Sequence, residues 1–268
     1  MFRVRSIALV ALLGLLAQCE TPPIKIRQAQ YVVYLPMVGK PLPKRGVTIA
    51  YGWRCEDVAK IQASWFYGWY PHPEPCPGSQ AIPMIADEAQ MTTPASESDW
   101  LMGFNEPDIS AIIISPERGA ELWNQIESQY PERKLVAPAP SQLNPEWIEL
   151  FYESYQAQYA RSPRLDALAL HCYFVTAQDC IALIEWYKAL AGKWNIREIW
   201  LTEFAFWRDT PNCSLDSAVV ELDKLKLWME RDPMLTRYAW YTNRLPQGGK
   251  CATVLFDADG LTFWGLHY

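Results

Sequence analysis

Two glutamates in matched surroundings are the residues of this chain best suited to chemistry. Glu106 closes the run Leu101-Met102-Gly103-Phe104-Asn105 and is followed by Pro107 and Asp108. Glu203 closes the run Glu198-Ile199-Trp200-Leu201-Thr202 and is followed by Phe204. Each carboxylate ends an apolar segment of strand-like composition, and Pro107 stops the first from continuing as a paired central strand. The two lie 97 positions apart, so they form no local motif and act together only if the fold brings them together. Two carboxylates facing one bond are the minimum apparatus for cleaving a glycoside. For either glutamate alone a salt bridge at a surface rim is the ordinary expectation. Their shared context turns the balance toward catalysis.

The elements that must position them follow from periodicity and punctuation. Strand-like segments fall at 47–51, 63–69, 81–85, 100–105, 134–138, 165–173, 198–202 and 237–241. Helices are expected between several of them. Ser115 with Pro116 is a cap followed by a first-turn proline and opens a helix to about residue 130. Asn144-Pro145-Glu146 repeats that signature for a helix to about residue 160. A third helix runs over 177–191. A fourth runs over 216–230, with Val219, Leu222, Leu225 and Trp228 spaced at threes. Strands alternating with helices imply a parallel sheet. Eight such units in 268 residues imply an α/β fold of the closed (β/α)8 TIM-barrel type. Glu106 then ends strand four and Glu203 strand seven, both at the C-terminal rim where barrel enzymes bind substrate.

Other polar and aromatic residues share that rim. Strict alternation would put Asn105 and Glu106 on opposite faces, so a bulge or twist is expected where strand four ends. His171 and Tyr173 share one face of strand six. There Tyr173 could donate to Glu203, and His171 could bind sugar or orient a carboxylate; a satisfied core histidine beside a packing tyrosine is the alternative. Trp65, Tyr67 and Trp69 share a face of strand two and are candidates to line a groove, because sugar rings present flat C–H faces to aromatic rings. The chain has 13 tryptophans and 14 tyrosines, and a large core accounts for part of that number. Asp108 and Asp209 are rim acids with no assigned role.

Composition narrows the partners. Arg3 and Arg5 precede an apolar segment at 7–17, too short to span a membrane and suited to an export signal covering residues 1–19. Leu16-Ala17-Gln18-Cys19 resembles a bacterial lipobox, with Cys19 as the lipidated residue and Gln18 departing from the small residue usual there. Free secretion and a lipid anchor at Cys19 are both expectations. Losing Arg3 and Arg5 with this segment takes the formal net charge from −6 to −8. An acidic chain without basic clusters does not suit nucleic acid or anionic lipid, and a neutral polymer suits it better. The proline-rich stretch 20–45 is expected to be a tether before a catalytic domain at 46–268. Six further cysteines in an exported chain suggest disulfides, with Cys55–Cys76, Cys172–Cys180 and Cys213–Cys251 the preferred pairing. A zinc site has little support, since there is no Cys-x-x-Cys and His72, His171 and His267 are scattered. No Gly-rich phosphate loop follows any strand, and no serine lies in a Gly-x-Ser-x-Gly context. The expectation is a monomer without metal or cofactor.

Gly103-Phe104-Asn105-Glu106-Pro107-Asp108 and Trp200-Leu201-Thr202-Glu203-Phe204 resemble the two signatures of the clan A retaining glycosidases. With the segments 65–69, 166–173 and 238–240, the set is most similar to the Asl1-like catalytic domain, glycoside hydrolase family 128, from about Gly46 to the C-terminus. The resemblance implies endo-cleavage of β-1,3-glucan. It implies Glu106 as general acid/base with a raised pKa, Glu203 as nucleophile, Asn105 on the sugar 2-OH, and Trp240 as the platform beneath the sugar. The remaining readings are another clan A activity, on a β-1,4-linked glucan or mannan, and a non-catalytic glycan-binding barrel.

Overall fold

The computed structural model describes residues 42–52, 54–206, 215–244 and 253–268. The export segment, Cys19, most of the tether, Asp209 and the Cys213–Cys251 pairing lie outside the described residues. Eight parallel strands run in the order β3-β2-β1-β8-β7-β6-β5-β4. They are β1 (Leu42–Thr48), β2 (Ala63–Tyr67), β3 (Gln80–Ile82), β4 (Trp100–Met102), β5 (Lys134–Val136), β6 (Ala167–Phe174), β7 (Glu198–Phe206) and β8 (Leu235–Trp240). The two end strands meet just past β3, where Met102 N–H donates to Pro83 O at 3.0 Å and Ile85 N–H to Met102 O at 3.1 Å. The sheet thereby closes into the expected (β/α)8 barrel. The described helices are α1 (Cys55–Lys60), α2 (Pro116–Gln129), α3 (Trp147–Tyr159), α4 (Ala177–Trp194), α5 (Leu215–Arg231) and α6 (Phe263–His267). A proline-rich loop joins β2 to β3, and a single 3-10 turn at Glu88–Gln90 lies between β3 and β4.

Local chemistry explains most element ends. Ser115 caps α2 by accepting from Arg118 N–H at 3.2 Å, with Pro116 in the first turn. Helix α3 starts later than its Asn-Pro signature suggests, because residues 144–147 form a backbone turn and Glu146 caps without its side chain. Strand β1 starts five residues before the expected 47, so the tether drawn at 20–45 overlaps the barrel. Its first half has no alternating pattern because side chains of β2 hold it: Ser64 donates to Pro43 O at 2.8 Å and Trp65 Nε1 to Lys44 O at 3.0 Å. Gly46 is required there, since a Cβ would come within 2.3 Å of the Trp65 indole.

Two apolar layers result. Outward-facing residues such as Leu168, Leu170, Cys172, Tyr238 and Trp240 pack against the helices. Inward-facing Trp65, Tyr67, Trp100, Met102, Ala169, Trp200 and Ala239 fill the barrel. Its lower end is plugged by the Arg237 guanidinium, 4.3 Å from the Trp200 ring centroid and 5.4 Å from that of Trp65. Burial lowers the Arg237 pKa to about 10. Two of the expected disulfides are present. Cys55–Cys76 ties α1 to the loop after β2, and Cys172–Cys180 ties β6 to the first turn of α4.

Candidate active site

Glu106 leaves β4 through a backbone reversal. Asn105 N–H donates to Ala86 O at 2.9 Å and Glu106 N–H to Ala139 O at 2.8 Å, so flanking loops replace the ladder. Glu106 itself has φ +41°, the left-handed region. For a residue with a Cβ this costs about 1–3 kcal/mol, and it points the carboxylate into the barrel mouth where a continuing strand would not. Strand β4 therefore ends at Met102, short of the expected 105.

Glu203 reaches the same place by another route. Strand β7 does not end at this glutamate but runs on to Phe206. Leu170 pairs with Leu201, while His171 pairs with Glu203, so Thr202 is an extra residue in β7. Such a bulge flips the alternation. Without it Glu203 would share the outward face of Leu201; with it the carboxylate faces inward beside His171.

The two carboxylates and His171 form one cluster. An oxygen of Glu106, an oxygen of Glu203 and a nitrogen of His171 all lie within 4.8 Å of one another. His171 Nδ1 is 3.1 Å from Glu106 Oε1 and 3.5 Å from Glu203 Oε2. Glu203 is 2% exposed and surrounded by donors. Tyr173 Oη donates to its Oε2 at 2.5 Å and Trp69 Nε1 to its Oε1 at 3.1 Å. Tyr67 Oη, which donates to Thr202 O at 2.9 Å, lies 3.5 Å below the same Oε1. Among the described residues this trio is the group whose atoms could ligate a metal. Both Glu203 oxygens, however, already accept from N–H or O–H groups, and an indole N–H offers no lone pair.

Burial raises the Glu203 carboxyl above its ordinary range, and the Glu106 charge adds to this. The His171 charge and the donors Tyr173 and Trp69 oppose it. Burial also pushes Glu106 upward, but the hydrogen bond and charge of His171 outweigh that and hold it below its ordinary value. The raised Glu106 expected from sequence is therefore not found, because the hydrogen bond and charge of His171 outweigh its burial. Burial favours a neutral His171, yet the charges of Glu203 and Glu106 hold its pKa up. Burial and the nearby carboxylates raise both Tyr67 and Tyr173, which keeps each phenol protonated as a donor.

A pocket of about 280 Å³ opens over this cluster, lined by Trp69, Asn105, Glu106, Tyr173, Glu203 and Tyr241. Asn105 Oδ1 is buried without a protein partner. A larger cleft of about 600 Å³ lies at the opposite end, by Gln80, Asp99 and Arg133 where strands begin. Its acids, Glu97 and Asp99, are exposed and unmatched, so size alone does not mark the reactive end.

Residues 48–268 match the family model described as glycosyl hydrolase catalytic core. The chain belongs to that family. No curated protein sequence matches it. Among solved structures it is similar in fold to a glycoside hydrolase family 128 endo-β-1,3-glucanase from Amycolatopsis mediterranei, at 24% identity and TM-score 0.70 over 84% of this chain and 98% of that one. The same enzyme is known in complex with laminaritriose, laminaripentaose and laminarihexaose. The fold is also similar to an endo-β-1,3-glucanase from Sorangium cellulosum, at 24% identity and TM-score 0.65 over 84% and 96% of the two chains. An exo-β-1,3-glucanase from Cryptococcus neoformans matches at 21% identity and TM-score 0.65 over 84% and 100%.

Within this glycosyl hydrolase the structure places the sequence candidates unequally. Glu106, Glu203, Asn105, Tyr173 and Trp69 meet at the mouth, and His171 lies beneath them, 1% exposed, touching carboxylates rather than the pocket. Trp240 does not reach the mouth. Alternation on β8 sends Arg237 and Ala239 inward and Trp240 outward, where it packs 5.5 Å from Trp264 and 5.4 Å from Tyr268 and donates to Thr253 O. The next inward residue, Tyr241, takes the place expected for it, 6.0 Å from Trp69 and 5.6 Å from Tyr173. Counting from Ala239 would have found it. Trp65 is no subsite wall either, because Tyr67 stacks over it at 5.9 Å. Tyr67 is itself fully buried, so it supports Glu203 rather than a ligand. Asp108 gains a role: its carboxylate accepts from Ser141 N–H at 2.8 Å and Ser141 Oγ at 2.5 Å, fixing the loop after β5.

Proposed function

We propose that this glycosyl hydrolase is an exported endo-β-1,3-glucanase that retains anomeric configuration, with Glu203 as nucleophile and Glu106 as acid/base. The observation that carries the reading is two carboxylate oxygens within 4.8 Å, one of them on a buried glutamate gripped by Tyr173 and Trp69. Retaining pairs stand about 5–5.5 Å apart, and inverting pairs need about 6.5–9.5 Å to admit a water. In the first step a Glu203 oxygen bonds to the anomeric carbon as the glycosidic C–O bond breaks, and the Glu106 proton goes to the leaving oxygen. In the second, water gives its proton to Glu106 and attacks the same carbon, and Glu203 leaves as carboxylate.

The cluster orders the two carboxyls against these roles, with Glu106 low and Glu203 high. The three groups are close enough to share protons, so that order belongs to the cluster and not to either residue. Trp69 is a donor only, which favours a charged Glu203. Glu106 keeps 25% of its side chain exposed, and a sugar covering the mouth removes that water and raises its pKa. A proton on His171 Nδ1 then has only the 3.1 Å hydrogen bond to cross. Asn105 Oδ1 is available to accept from the sugar 2-OH, and Trp69 and Tyr241 supply ring faces. The β-1,3 linkage is supported by the substrates named for the proteins of similar fold. Export is supported by the basic-then-apolar start and by the two disulfides. The test is reducing-end release from linear β-1,3-glucan by wild type and Glu203→Gln side by side. Activity only in the wild type supports substrate and nucleophile together; a folded but inactive wild type moves the substrate to another linkage or the protein to binding alone.

A further inference from the structure

The residue that grips the nucleophile is itself gripped by a side chain acting as a strand. Tyr173 lies near the end of β6, and one edge of β6 there is paired with β7, Tyr173 standing opposite Ala205. On the other edge β5 is short. It ends at Val136, and its register with β6 consists of Val136 opposite Ala167. Among the described residues no strand lies beside this edge of β6 beyond that point. At Tyr173 the vacancy is filled by the Gln142 amide: Oε1 accepts the Tyr173 N–H, and Nε2 donates to the Tyr173 carbonyl at 3.4 Å. A carboxamide presents one acceptor and one donor side by side, the pair that the C=O and N–H of the two peptide groups flanking one residue of a parallel strand would offer. Gln142 is fixed in turn by its neighbour Ser141, whose N–H and hydroxyl both bind Asp108, two residues beyond Glu106. One loop therefore joins the acid's turn to the nucleophile's donor.

We propose that Gln142 is a positioning residue for Glu203: its amide completes the sheet at Tyr173 and so holds the phenol on the Glu203 carboxylate. This rests on the assignment of Glu203 as nucleophile. Gln142 acts only through Tyr173, so its effect should disappear when the phenol is absent.

The experiment uses Gln142→Met, which keeps the shape and removes both hydrogen bonds, with Tyr173→Phe and the double variant. On linear β-1,3-glucan Gln142→Met is expected to lower kcat about tenfold with KM within about twofold, the pattern of a lost transition-state alignment. In the Tyr173→Phe background the same substitution should change kcat by less than about twofold. A full tenfold loss in both backgrounds, or no loss in either, overturns the proposal. Amide exchange at Tyr173 gives a reading independent of turnover. It should speed up at least about tenfold in Gln142→Met while exchange in β7 is unchanged, and unchanged exchange at Tyr173 overturns the clasp. If the wild type cleaves no β-1,3-glucan, the substrate reading fails and the exchange result still decides the clasp.

Discussion

Tyr173→Phe tests the electrostatics of the site most directly. The phenol donates to Glu203 Oε2 at 2.5 Å, and the carboxylate it serves is 2% exposed. A hydrogen bond to a charged, desolvated acceptor is worth about 1.5–3 kcal/mol. That is about 10- to 150-fold in a rate or equilibrium constant, or about one to two pH units. The sign follows from which form is stabilised. Tyr173 favours ionised Glu203, so its loss adds to the rise that burial already causes. In the proposed mechanism Glu203 works deprotonated, so the acidic limb of the pH profile of kcat/KM is expected to move upward by about one to two units. The second step also slows, because Glu203 leaves as a carboxylate that has lost a donor; with an activated aryl glycoside a pre-steady-state burst should appear. The measurement is kcat/KM from about pH 3 to 8 for both proteins, with burst kinetics at the wild-type optimum. An acidic limb that stays in place, with kcat within twofold, would refute the role given to this hydrogen bond.

Glu203→Gln should abolish turnover, by at least about a thousandfold, yet raise thermal stability near neutral pH. A folded pKa above the unfolded one means stability is complete below the unfolded carboxyl value of about 4.3 and is lost as pH rises through the folded value. Glutamine mimics the protonated form, so the gain in melting temperature should be present at pH 7 and vanish near pH 4. Glu106→Gln should lose least on aryl glycosides with good leaving groups, which need no proton; equal loss on all substrates would remove the acid role. Trp240→Ala should destabilise the fold by about 3–5 kcal/mol, as for a fully buried aromatic, and leave the KM of the folded fraction unchanged, whereas Tyr241→Ala should raise KM. Both are read from denaturant titration and steady-state kinetics. Arg237→Met should be neutral or stabilising, because this buried guanidinium has the uncharged Gln80 as its hydrogen-bond partner at 2.7 Å; a clear loss of stability would mean the stack on Trp200 contributes more than its desolvation costs.

The order of strands and helices was legible because core-facing period and cap chemistry are local. Ser115 with Pro116, the alternation of Trp65, Tyr67 and Trp69, and the outward Cys172 facing its partner Cys180 each depend on a few adjacent residues. The barrel followed from counting such units, and the reactive rim followed from the barrel. Where a strand departs from its own pattern, neighbouring residues in the chain carry no sign of it. The start of β1 shows no pattern of its own, because side chains of β2 satisfy it. Resemblance puts Trp240 in the mouth, whereas alternation with the inward Ala239 turns it outward and leaves the mouth to Tyr241.

Residue types and their order along the chain determined that two glutamates, a histidine and a tyrosine would fall towards the C-terminal ends of barrel strands. Tertiary structure decided which way they point. The left-handed turn at Glu106 and the extra residue Thr202 are each held by hydrogen bonds from neighbouring segments, Ala139 to one and β6 to the other. No local propensity encodes either. The same holds for His171, whose position between the carboxylates holds Glu106 low and works against the burial that raises Glu203. Charge coupling over 3–4 Å belongs to the assembled barrel, because it depends on side chains that are 32 and 65 residues apart in the chain.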